Sequence, residues 1–229
     1  MPEGEIRAIF VYFHGGGLEH GSKNPEDPFI GYLIQRGIAV ADVNYRMYPD
    51  AKFPDFVEDA ADAVAWAWKN MPKHTACREF YVGGSSAGGY LSMMLCFDPK
   101  YLGRHGLKSW DIRGYIHDAG QPTAHFNVLR EQGVDTRRLI VDETAPLYHV
   151  GAYGNECSRM LFVVSDNDMA NRYEQTMLML STLKHFDYDQ EKISWKLMHG
   201  KHCAYVRALD EKGESVFGKI IFGFIQENA

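Results

Sequence analysis

The sequence predicts a doubly wound α/β fold built on a mostly parallel sheet of about six strands. Short apolar runs rich in β-branched residues alternate with amphipathic stretches, the pattern of parallel strands joined by crossover helices. Two of these runs end directly in glycine-rich turns, HGGG at 14–17 and GSSAGG at 84–89. With 229 residues and 45% hydrophobic content, the chain can bury one sizeable core. A single domain over 1–229 is therefore expected, with 122–153 as a small cap or insertion.

The first strand is Ile6 to Phe13 (IRAIFVYF), a continuous run of the kind buried on both faces. A helix from Pro28 to Arg36 follows, and Gly37 separates it from a second strand, Ile38 to Tyr45. Pro54 suits the first turn of the next helix, where its missing N–H costs nothing. Val57, Ala60, Ala61, Val64 and Trp68 then recur at helical spacing. The third strand, Glu79 to Gly83, runs into GSSAGG and a further helix. Ile112 to His117 is the fourth strand, and Pro122 to Tyr153 is less regular, with two helix-like pieces. Met160 to Ser165 is the fifth strand. Tyr173, Met177, Leu180 and Lys184 mark a helix whose Met and Leu side chains should face inward. Lys192 to Met198 is the sixth strand, and Val216, Phe217, Ile220 and Phe224 define a final helix. No repeat or low-complexity tract interrupts this order.

Charge and composition exclude several functions. Lys and Arg number 24 against 30 Asp and Glu, a net charge of −6 without a basic stripe, which argues against a nucleic-acid surface. No apolar run is long enough to span a membrane. The N-terminus shows neither a basic n-region nor an apolar h-region, so a cytoplasmic location, or a leader already removed, is expected. Cys77, Cys96, Cys157 and Cys203 lie far apart without CxxC spacing, which suits reduced structural thiols rather than disulfides or zinc. No metal or organic cofactor is expected.

The sharpest chemical signal is Gly84-Ser85-Ser86-Ala87-Gly88, a G-x-S-x-G between a strand and a helix. A nucleophile held in a sharp turn crowds its neighbours, so Gly84 and Gly88 must lack side chains. Ser86 would then project above the sheet at a helix N-terminus, where developing negative charge is favoured. The second signal is His14-Gly15-Gly16-Gly17 directly after the first strand. Acyl transfer needs backbone N–H groups aimed at an oxyanion, and glycines let the backbone approach. Gly16 and Gly17, with Ala87, are assigned as donors, the choice within the loop being open by one position. His14 and Gly15 are read as structuring the loop, His14 through hydrogen bonds rather than as a base. No Gly-Lys-Ser/Thr follows, which argues against a phosphate loop.

HGGG with Gly21-Ser22, then Tyr45-Arg46, Pro49, Phe53-Pro54, Asp59 and Trp66, then GSSAGG, resembles the α/β-hydrolase fold over essentially the whole chain. Within that fold the sequence is most similar to the hormone-sensitive-lipase-like and BD-FAE-like esterases. The resemblance implies a Ser–acid–His triad in that chain order. It places the acid after the fifth strand, in Ser165-Asp166-Asn167-Asp168, where relatives carry G-x-x-D and often a Gln seven residues on. Asp168 and Gln175 match that spacing, and Asp166 is the competitor. The histidine should follow the last strand. His199 belongs to the strand end, and His202, on the loop beyond Gly200, is chosen. His199, His202 and Cys203 as a metal set would need further ligands that the sequence does not offer.

The chain departs from the pattern at Ser85, where relatives commonly have Asp, and at Ser165, where they have Gly. About a dozen residues precede HGGG, so a reduced N-terminus and a minimal cap are expected, with cover from 18–28 and 122–153. Tyr12, Tyr45, His117, Gln121, His125 and Phe126 are candidates to line the cleft. The implied function is serine carboxylesterase on short-chain, acetyl-type esters through an acyl-enzyme on Ser86, the substrate being a small-molecule ester such as an acylated carbohydrate. An arylformamidase-like serine amidase and a non-catalytic hydrolase-fold binding protein are the alternatives. Exposed sheet edges and the final helix suit a homodimer.

Overall fold

The computed structural model describes residues 1–227. Its sheet has six strands, all parallel: β1 (Ala8–Phe13), β2 (Ile38–Val43), β3 (Phe80–Ser85), β4 (Gly114–Asp118), β5 (Arg159–Asn167) and β6 (Ile193–Lys201). Their spatial order is β2-β1-β3-β4-β5-β6. The helices are α1 (Pro28–Ile34), α2 (Asp55–Asn70), α3 (Ala87–Phe97), α4 (Pro99–Gly103), α5 (Phe126–Glu131), α6 (Arg172–His185) and α7 (Val216–Gln226).

β1 shows why the run at 8–13 carries no polar alternation. Ile9, Val11 and Phe13 face one core, under α2, α3 and α6, while Ala8, Phe10 and Tyr12 face the other, under α1 and α7. A strand covered by helices on both sides must be apolar at every position. The α1–α7 layer closes at Gly218, where a β-carbon would lie 2.8 Å from Cδ1 of Tyr32.

Several boundaries differ from the sequence reading. β3 continues to Ser85, the residue before the G-x-S-x-G serine, because Gly84 and Ser85 still pair with His117 and Asp118 of β4. β5 and β6 extend to Asn167 and Lys201, so His199 lies within β6. Pro54 caps α2 rather than entering its first turn. Helix α4 was not expected; Pro99 starts it, and the Asp98 side chain accepts from the Lys100 N–H.

The inward face of α6 is Arg172, Gln175, Thr176, Met179 and Leu183, with Met177 and Leu180 on its shoulders. The polar members of that face concealed its phase. The face of α7 is likewise Phe217, Gly218, Ile221, Phe224 and Ile225, with Val216 and Ile220 at its margin. Among the described residues no helix is long and apolar enough to cross a membrane.

All six strands point the same way, so every loop that leaves a strand end opens on one edge of the sheet. The chain winds from β1 outward to β2 and then returns to β3 on the other side of β1. Loops after β1 and β3 thus diverge at the switch point, where open α/β sheets form a crevice.

Candidate active site

Ser86 stands at that crevice, between β3 and α3, with φ 57° and ψ −112°. Few residues other than glycine adopt this region, and the surroundings must enforce it. They do so by close contact. A β-carbon at Gly88 would fall 1.9 Å from the Phe13 carbonyl oxygen, and one at Gly84 would fall 2.5 Å from the Gly88 carbonyl. The Ser86 N–H donates to the Asp118 carbonyl at 2.7 Å, which ties the turn to β4.

His202 sits on the loop after β6, its Nε2 2.8 Å from Ser86 Oγ. Its Nδ1 lies 2.5 Å from Asp168 Oδ1. Asp168 also accepts the N–H groups of Met169 (2.7 Å) and Ser165 (3.2 Å). Burial pushes the Asp168 carboxyl up, but the His202 contact and these N–H groups hold it, on balance, below the ordinary carboxylate range. Asp166, two residues earlier, points to solvent and pairs with exposed His199 at 2.6 Å. Asp166 still lies within β5, whereas Asp168 stands one residue past the strand end, with its carboxylate turned in to His202. Gln175 accepts from Thr123 Oγ1 at 2.8 Å.

The 14–17 loop crosses in front of the turn. A β-carbon at Gly15 would lie 3.0 Å from the Ser85 carbonyl and 3.2 Å from Ser86 Cβ. Gly16 has φ 120°, and a β-carbon there would fall 1.9 Å from the His20 carbonyl oxygen. Gly17 has φ 67° and lies against the Phe126 ring. Ala87 is the first residue of α3, so its N–H has no acceptor within the helix. The His14 ring stacks on Tyr45 at 4.5 Å, its Nδ1 lies 2.7 Å from the Gly15 carbonyl, and the Tyr45 hydroxyl donates to the His14 carbonyl at 2.9 Å. Burial lowers the His14 pKa, which favours the neutral ring.

These elements border a cleft of about 820 Å³. Tyr12, Phe126, Met169, Cys203 and Val206 supply apolar wall, and Ser22, Lys23, Asn24, Asp27 and Arg207 supply a polar rim. Four expected lining residues lie elsewhere. Tyr45 is under His14; His117 is buried against Ser92 Oγ at 2.9 Å, with its pKa lowered by burial to about 3. His125 caps α5 by accepting from Asn127 N–H, and Gln121 donates to the Ala124 carbonyl. Residues 122–153 thus reach the cleft mainly through Phe126. Among the described residues no group of three or more His, Cys, Asp or Glu side chains gathers to hold a metal.

The profile of a family described as alpha/beta hydrolase fold matches residues 10–216. The chain belongs to the α/β-hydrolase fold family. Esterase LipC of Mycobacterium tuberculosis is 32% identical over 162 residues, covering 62% of this chain and 40% of LipC. Gibberellin receptor GID1C of Arabidopsis thaliana is 33% identical over 93 residues, covering 38% of this chain and 27% of the receptor. The chain spans less than half the length of the curated relatives it matches. Among solved structures, propionate-bound esterase 2 of Thermogutta terrifontis superposes with a TM-score of 0.74 at 19% identity, covering 97% of this chain and 84% of that one. At that identity the likeness is one of fold.

This α/β-hydrolase fold chain also places residues at the site that sequence reasoning missed. Asp118, at the end of β4, is fully buried beneath Ser86 and accepts from Ser85 Oγ (2.5 Å) and from the Tyr205 hydroxyl. Burial raises its carboxyl to about 6, against the lowering effect of those hydroxyls. Arg172 is buried at the start of α6, where its guanidinium donates to the Ala119 carbonyl at 2.5 Å and to Gln121 at 3.3 Å. Burial lowers its pKa to about 10, with the Asp168 charge opposing that shift. Neither residue lies in a recognisable motif, and no periodicity signals it; only the pairing of β4 with β3 and β5 brings Asp118 under the turn.

Proposed function

We propose that this protein is a serine carboxylesterase. The observation that carries the reading is the unbroken line of hydrogen bonds Ser86–His202–Asp168 at the floor of an open cleft, faced by the glycine loop. Ser86 Oγ attacks the ester carbonyl as His202 Nε2 takes its proton, and Asp168 holds Nδ1–H and stabilises the imidazolium. The N–H groups of Gly16, Gly17 and Ala87 receive the oxyanion. Each such donor is worth about 2.7–4 kcal/mol of barrier in comparable sites. His202 then protonates the leaving alcohol, an acyl group remains on Ser86, and water reverses the sequence to release the acid. The name of LipC supports the same chemistry.

The acyl group is short, in keeping with the Phe126 ring lying against Gly17. The rim of Ser22, Asn24, Asp27 and Arg207 suits a hydroxyl-rich alcohol such as a sugar. Hydrolysis of p-nitrophenyl acetate, butyrate and octanoate by wild type and Ser86→Ala tests this. Activity highest on acetate and abolished by the substitution supports the reading. Faster turnover of formanilide-type amides would move the chain to the amidase alternative. Failure of a fluorophosphonate to label Ser86 would leave a binding protein.

A further inference from the structure

Beneath Ser86 a relay of buried hydroxyls converges on one carboxylate. Tyr12, on β1, donates to Ser85 Oγ at 2.9 Å, and Ser85 donates to Asp118 Oδ2 at 2.5 Å. The Tyr205 hydroxyl donates to Asp118 Oδ1. The Asp118 carbonyl receives the Ser86 N–H at 2.7 Å. One residue therefore touches both the turn that carries Ser86 and the loop that carries His202, since Tyr205 lies three positions beyond that histidine.

A fully buried carboxylate is costly unless its oxygens are satisfied, and here both side-chain partners are hydroxyls rather than cations. Hydroxyls neutralise no charge, so the arrangement stabilises the fold little compared with an apolar core of equal volume. What it does supply is direction. Two oxygens at fixed positions accept from the end of β3 and from the loop after β6, and Ser85 pairs with Asp118 in the strand register.

We propose that Asp118 is a positioning residue: its carboxylate, held between Ser85 and Tyr205, locks the nucleophile turn to the histidine loop and keeps Ser86 Oγ in register with His202 Nε2. The proposal rests on the reading of Ser86 and His202 as nucleophile and base. Asp118 is not among the residues that border the cleft, so its effect falls on the chemical step and not on substrate binding.

Steady-state kinetics on p-nitrophenyl acetate and the rate of fluorophosphonate labelling at Ser86 test it in wild type, Asp118→Asn, Tyr205→Phe and the double variant. Small misplacements of reacting groups cost up to about 100-fold. Asp118→Asn is expected to lower kcat and the labelling rate by about 10-fold to 100-fold, with KM within about twofold. Tyr205→Phe, which removes one hydroxyl and carries the test should the Asn variant fold poorly, is expected to lower kcat by about 10-fold. Because both act through one link, the double variant should lose little more than the more severe single variant. Labelling of the wild type with unchanged kcat in both single variants, or losses that multiply in the double variant, would overturn the positioning role. Absence of labelling in the wild type would instead remove the nucleophile assignment on which it rests.

Discussion

Nε2 of His202 lies 2.8 Å from Oγ of Ser86 although 116 residues separate them in the chain. Ser86 follows β3 and His202 follows β6, and two further strands stand between these in the sheet. The contact exists because parallel strands deliver both loops to one edge and the loop after β6 folds back across it. Turnover should depend on this contact more than on any local feature of either loop.

Strain at Ser86 separates stability from activity. Its φ of 57° disfavours a side chain by about 1–2 kcal/mol, part of which glycine returns as lost chain entropy. Ser86→Gly is expected to abolish ester hydrolysis, by on the order of 10⁶-fold in kcat, while raising unfolding free energy by about 1 kcal/mol. Urea unfolding beside an esterase assay checks both. A less stable variant would mean that the turn stores no strain.

The two aspartates after β5 should behave oppositely. Asp168→Asn removes the acceptor of His202 Nδ1 and should lower kcat by about 10⁴-fold, the effect expected when the imidazole is held in the wrong tautomer. Asp166→Asn breaks an exposed pair with His199 and should leave kcat within about threefold. The reverse order of severity would exchange their roles.

Gly16→Ala should cost both fold and function. Its β-carbon would overlap the His20 carbonyl in a backbone conformation that side chains rarely adopt. A loss of at least about 2 kcal/mol in stability is expected, together with about 100-fold in kcat as the loop's N–H groups shift. Thermal unfolding and kcat on the same preparation decide it.

Asp118 should leave a signature in the pH dependence of stability. Its carboxyl is raised from 3.8 to about 6, so folding takes up a proton between those values. The contribution is fully present below the lower value and is lost as pH rises through the upper one. Asp118→Asn cannot titrate. The stability difference between variant and wild type should therefore move in the variant's favour by on the order of 2 kcal/mol from roughly pH 4.5 to pH 7.5. Urea unfolding at both values measures it, and a constant difference would contradict the raised pKa.

The fold class and the glycine-framed turns of the candidate site were readable because each has a local cause. Apolar runs without alternation reveal strands covered on both faces, and glycines at 15, 16, 84 and 88 stand where a β-carbon would press on backbone, while one at 17 would press on the Phe126 ring. The choice of Asp168 over Asp166 and of His202 over His199 needed the resemblance as well, since composition and spacing alone left each pair open. The lining of the cleft was misjudged for Tyr45, His117, Gln121 and His125. A polar side chain near a motif reads the same whether it faces solvent, substrate or a buried hydroxyl.

By itself the sequence determined what each segment becomes: strand, helix or sharp turn, through propensity, periodicity and the places where only glycine fits. Tertiary structure alone decided which residues meet. Asp118 lies under Ser86, and Tyr205 reaches it, because β4 pairs with β3 and the loop after β6 returns over both. Such long-range contacts leave no periodic trace along the chain, since they arise from strand order and register and not from the chemistry of neighbouring residues.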